Sequence, residues 1–140
     1  MSSFTDVLDY ECVGRGIYKT RIPFRFYLND DKTGDYVDVP SAFISNGASI
    51  PQPLQRLFGW QPIDPRWAQA SFLHDGLVGE TGITLTIEND DADIQRYAGW
   101  SEAATWFDSA LRVKREQCVE CPSLNRHLFV LGVRLWGMVR

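Results

Sequence analysis

The stretch "SFLHDGLVGE", Ser71 to Glu80, sets a histidine beside an aspartate in apolar surroundings, and these two side chains are the residues best suited to chemistry. His74 and Asp75 could serve as a metal-ligand pair. They could form a general base with an orienting carboxylate, or a His-Asp site of the phosphohydrolase kind. Each needs further parts. A catalytic metal takes about three protein ligands plus an open position. A nucleophilic site needs a hydroxyl or thiol within reach of the imidazole. The candidates are Ser45, Ser49 and Ser71, with Asn46 beside them. Ser71 precedes His74 by three residues and is its helical neighbour rather than an attacking group. The other reading is a structural clamp. A neutral imidazole is satisfied by one hydrogen bond given and one accepted. The irregular stretch from Ser41 to Pro51 carries backbone groups that need partners. His74 and Asp75 would supply them, with Asn46 and Ser49 closing local turns. An isolated His-Asp pair is not a specific signal for catalysis, so the spacing favours the clamp.

The elements around the pair follow from periodicity. A helix is expected from about Pro65 to Val78, with Asp64 as N-cap and Gly79 as terminator. Trp67, Ala70, Ser71, His74, Leu77 and Val78 share one side, and Ala68, Phe72 and Leu73 cover much of the rest. Such an all-round apolar helix is usually central. Asp75 points about 100° away from His74. "KTRIPFRFYL" (Lys19 to Leu28) reads as a strand, "NDDKTGD" as a turn, and "YVDV" (Tyr36 to Val39) as the returning strand of a hairpin. Pro40 ends it. "GITLTI" is expected to be a short edge strand and "ENDDADI" an acidic turn. Ser101 is expected to cap a helix to about Glu116, with Ala103, Trp106, Phe107, Ala110 and Val113 inward. Ser123 would cap a last helix striped by Leu124, Leu128, Leu131, Leu135 and Met138. This is an α+β fold: an N-terminal antiparallel hairpin and an irregular loop packed on about three helices.

The chain has 140 residues, 44% hydrophobic and 23% charged, with net charge −4. That suits one domain spanning residues 1–140. No basic surface for nucleic acid is indicated. No run approaches the ~18 apolar residues of a spanning helix, and the first residues lack the pattern of a signal peptide. Synthesis in the cytoplasm is therefore expected. Cys118 and Cys121 form a lone C-x-x-C with only His127 close by. Together with Cys12 they read as reduced bystanders, so no metal and no cofactor is expected. Trp60 and Trp100 fall in loops and are candidate anchors for a protein partner.

The segments "VPSAFISNGASIP", "ASFLHDGLVG", "SEAATWFDSAL" and "LFVLGVRLWG" resemble, in order and spacing, the domain of unknown function 1353 family. Its pattern is V-P-x-G-F-x-T-D-x-A-S-x-P, then H-D-x-L-Y, then E-A-D-x-x-F, then an apolar C-terminal helix. The matching positions are Val39, Pro40, Phe43, Ala48, Ser49, Pro51, His74, Asp75, Leu77, Glu102, Ala103 and Phe107. The loop aspartate is replaced by Asn46, the tyrosine by Val78 and the helix aspartate by Ala104. The resemblance implies small proteins of tailed bacteriophages and prophages, without a settled activity. It implies a virion protein of tail or baseplate, made in the host cytoplasm. Such a protein would contact other phage structural proteins, and a homo-oligomer is compatible with it. The rival is a metal-assisted or lysis-associated hydrolase using His74, Asp75, Ser49 and Asn46. The missing carboxylates favour a scaffold that has kept the clamp and lost any reaction. A small host-takeover protein binding a bacterial enzyme is a third option.

Overall fold

The computed structural model describes residues 4–29, 32–47 and 67–117. These form a mixed α+β structure richer in strands than in helices. The strands are β1 (Tyr10–Gly14), β2 (Ile17–Thr20), β3 (Phe24–Tyr27), β4 (Tyr36–Val39), β5 (Ile44–Ser45), β6 (Ile87–Asn89) and β7 (Ile94–Arg96). The helices are α1 (Ala68–Val78) and α2 (Trp100–Gln117). One sheet has the order β1-β2-β5 and the other β3-β4-β6-β7.

The expected hairpin is present, but its first strand is divided. Phe24 pairs with Val39 and Tyr27 with Tyr36, as a returning strand requires. The preceding residues, Ile17–Thr20, belong instead to the other sheet, against β1 and β5. Pro23 lies at the break, where a residue without a backbone N–H cannot continue a ladder. Alternation then sorts the faces. Phe24, Phe26, Val37 and Val39 point to the core, while Arg25, Tyr27 and Asp38 point outward. On the outer face Arg25 makes two bonds to Asp38, at 2.7 and 3.1 Å, and stacks 3.9 Å from the Tyr36 ring centre. The Tyr36 hydroxyl donates to Asp90 at 2.6 Å, which together with burial pushes it up to about 12.

The expected strand "GITLTI" contributes only its last residue, Ile87. The acidic stretch after it is the turn of a second hairpin, β6–β7, with Asp93 in the left-handed region at φ 50°. Asn and Asp tolerate that region better than most side chains, which suits this turn.

Helix α1 ends as expected. Gly79 takes φ 68°, and the N–H groups of Gly79 and Glu80 both reach the Asp75 carbonyl. The expected start at Asp64 and Pro65 lies outside the described residues. Nearly all of α1 is buried, including Gln69, Ser71 and Asp75. It packs against β4, β5 and α2. Gly76 allows the close approach: a β-carbon there would lie 2.3 Å from Leu85 Cδ1 and 3.2 Å from Phe43 Cζ. In α2 the expected inward stripe of Ala103, Trp106, Phe107, Ala110 and Val113 is buried, and Trp106 meets Phe26 edge-on at 5.9 Å. The expected last helix, with Cys118, Cys121 and His127, falls outside the described residues.

Candidate functional site

The site is built where the loop after β5 meets α1. Asp75 is only 4% exposed. Its Oδ2 accepts from the Ser45 hydroxyl at 2.7 Å and from the Asn46 backbone N–H at 3.3 Å. Ser45 in turn accepts from the Gly47 N–H at 3.0 Å. The end of the Asn46 side chain lies 3.0 Å from the same Oδ2 and 3.2 Å from the Gly47 carbonyl oxygen. With its amide nitrogen on that side it donates to both. Thr81 adds a bond from its hydroxyl to the Ile44 carbonyl at 2.8 Å. One residue therefore joins two structures: the Asp75 carbonyl closes the end of α1, and its carboxyl gathers residues 45–47.

His74 points elsewhere. It is half-buried, and its ring lies 5.2 Å from that of Phe107 on α2, tilted by 51°. Its Nε2 is buried and makes no hydrogen bond among the described residues. Neighbours on one helical turn differ by about 100°, and here that rotation sends the two polar side chains to different elements. The loop is thus gathered by Asp75 without His74.

Burial acts on the two groups in opposite directions. Desolvation pushes the Asp75 carboxyl up to about 7, although the bonds from Ser45 and Asn46 pull it down. Desolvation pulls the His74 imidazole down to about 4, against a small opposing effect of Glu80. Over the range between those two values the folded pair carries a neutral imidazole and a neutral carboxyl.

The remaining candidates are dispersed. Ser71 donates to the Trp67 carbonyl at 2.9 Å, one turn back in its own helix. Glu102 pairs with Arg96 on an exposed rim, with a 2.7 Å bond. Trp100 is 38% exposed at the start of α2. Ser49 and Trp60 lie outside the described residues. Among the described residues no three His, Cys, Asp or Glu side chains converge as a metal site, and no helix is long and apolar enough to cross a membrane.

Thr20 was not singled out by sequence pattern. It is buried at the end of β2, where its hydroxyl donates to the Pro40 carbonyl at 2.7 Å and accepts from the Phe43 N–H at 2.9 Å. Its backbone carbonyl accepts from Ala42, and its N–H reaches the Phe43 carbonyl. Thr20 thus fixes the turn that leads into the site. The only sequence signal was a threonine just before the strand break at Pro23.

The family profile described as a protein of unknown function, DUF1353, matches residues 21–120. The chain belongs to this family. Neither a curated protein nor a solved structure matches it. Asn46, where the resemblance expects an aspartate, touches Asp75. Ala104, where the resemblance expects a second aspartate, is buried one turn before Phe107, the residue against His74. Ala42, in the turn between β4 and β5, takes φ 60°, in the left-handed region.

Proposed function

We propose that this DUF1353 protein is a phage-encoded, non-catalytic component or accessory of the virion, at the tail or baseplate, acting through protein–protein contacts. In this reading Asp75 is a structural clamp, and His74 is a packing residue that has outlived its polar partner. One observation carries the non-catalytic part: the Asp75 carboxyl is buried and its Oδ2 is engaged by residues 45–47. The loss of carboxylates at 46 and 104 points the same way. Phage context rests on the motif order alone. A third helix over about residues 123–138 would complete the fold, and Trp60 and Trp100 would supply aromatic anchors.

One observation favours the hydrolase reading. A carboxyl whose affinity for a proton lies near neutrality, next to a neutral imidazole, is how enzymes prepare acid–base groups. Ser49 and Asn46 would then stand beside the substrate.

The test is mass spectrometry of particles purified from an infected or induced culture. The structural reading expects peptides of this protein at fixed stoichiometry to known particle components. A protein abundant in the lysate and absent from particles would refute the virion role. Turnover of ester or phosphodiester substrates that disappears in a folded His74→Gln variant would favour the enzyme.

A further inference from the structure

Asn46 is followed by Gly47, and both lie in the loop gathered by Asp75. An Asn-Gly pair has a reactivity of its own, one reason asparagine is thermolabile. The glycine backbone nitrogen can attack the asparagine side-chain carbonyl carbon, with no β-carbon on the glycine to obstruct the approach. A bond forms between Gly47 N and Asn46 Cγ, and the bond from Cγ to Nδ2 breaks. The proton of Gly47 N leaves with that amide nitrogen as ammonia. The cyclic imide then takes up one water. Opening at Cγ gives aspartate, and opening at the Asn46 backbone carbonyl gives isoaspartate. The sequence of steps consumes water and releases ammonia, with no oxidant or reductant.

Ring closure needs the reacting atoms in line, so the Asn46 side chain and the 46–47 backbone must turn together. The structure pins the groups that have to move. The N–H of Gly47, whose nitrogen is the nucleophile, donates to Ser45 Oγ at 3.0 Å. The Ser45 hydroxyl is itself held by Asp75 Oδ2 at 2.7 Å. The Asn46 N–H donates to the same Oδ2 at 3.3 Å. The Asn46 amide nitrogen, the leaving group, donates to Oδ2 at 3.0 Å and to the Gly47 carbonyl oxygen at 3.2 Å. Gly47 is buried with φ 75°, while Asn46 is exposed, within reach of the water that the second step uses.

We propose that Asn46 is a latent self-modification site, deamidated through a cyclic imide with Gly47, and that the Asp75 clamp holds it unreactive. The reaction proceeds from the state in which residues 45–47 have left Asp75. Its product weakens the clamp in turn. The amide nitrogen donates two hydrogen bonds, whereas a carboxyl in its place donates at most one. Isoaspartate also lengthens the backbone between residues 46 and 47. The modification thus records, irreversibly, that the loop has opened. This inference rests on the clamp reading of Asp75 and carries it from stability to covalent chemistry.

The test follows the full chain at mildly alkaline pH by peptide mass spectrometry, with the imide, aspartate and isoaspartate forms separated by chromatography. The folded wild type is expected to react at least about tenfold more slowly than the same chain unfolded in urea, because the pinning bonds must open first. Ser45→Ala frees the Gly47 N–H and is expected to raise the folded rate about three- to tenfold. A wild-type series in urea below the unfolding midpoint needs no variant: the rate should climb ahead of the global transition, as the loop opens locally. A folded wild type that reacts as fast as the unfolded chain would overturn the proposal. So would a Ser45→Ala rate equal to that of the wild type, or a rate that rises only with global unfolding. The clamp is judged separately, by the urea midpoint of Ser45→Ala. A lowered midpoint with an unchanged deamidation rate keeps the clamp and sinks the shielding of Asn46.

Discussion

At the scale of residues, folding moves a proton. In the unfolded chain at pH 5, the ordinary values put a proton on His74 and none on Asp75. In the folded protein His74 has been pulled down to about 4 and Asp75 pushed up to about 7, so the proton resides on the carboxyl. The pair binds one proton in each state between about pH 4 and 6.5, and its net contribution to the slope of stability with pH is close to zero. Removing one member exposes the other. Asp75→Asn leaves His74, which binds a proton below 6.5 when unfolded but only below about 4 when folded. Relative to wild type, stability should rise with pH across that window by about 2 kcal/mol, a figure discounted because the ring keeps some solvent contact. His74→Gln leaves Asp75, which is protonated up to about 7 when folded and only below 3.8 when unfolded. Stability should then fall as pH rises through that range, by about 3–4 kcal/mol. Urea unfolding at pH 4.5 and 7.5 measures both. Parallel behaviour of the two variants would show that burial does not act on them in opposite senses. The adjacency of His74 and Asp75 was visible in the chain. Their separate partners were not, because the choice of Ser45 over any other hydroxyl depends on where β5 ends.

At the scale of elements, local pattern located the helices better than the strands. The 3.6-residue period of α2 predicted its buried stripe residue by residue, since one helical face needs no knowledge of distant partners. Strand assignment depends on which sheet accepts the strand, and "KTRIPFRFYL" was divided at Pro23 between two sheets. The turn between β4 and β5 offers a test of local strain. Ala42 has φ 60°, where an L-residue costs roughly 1–2 kcal/mol and glycine does not. Glycine loses more freedom on folding, which offsets part of that gain. Ala42→Gly should therefore stabilise the protein by about 0.5–1 kcal/mol, read as a higher urea midpoint with unchanged slope. A lower midpoint would mean that the Ala42 methyl contributes more by packing than its backbone costs.

At the scale of the whole molecule, the described residues share one core. Phe26 is central to it, touching Phe4 at 4.5 Å between ring centres and Trp106 of α2 at 5.9 Å. Phe26→Ala should cost about 3–5 kcal/mol. Tryptophan fluorescence and far-ultraviolet circular dichroism should report the same lowered midpoint, because sheet and helices lose a common contact. Separate transitions would show that the β3–β7 sheet unfolds independently of the helices. That the fold is mixed α+β was legible from composition and period. The division into two sheets was not, since it is fixed by long-range pairings such as Tyr36 with Glu88 and Tyr18 with Ser45.

Helix α1 presents almost none of its side chains to water. Outside molecules have little on it to recognise, so among the described residues any choice of partner falls to the strands, the turns and the outer side of α2. The exterior can accordingly be redecorated over generations, or by an engineer, around an unchanging inner rod.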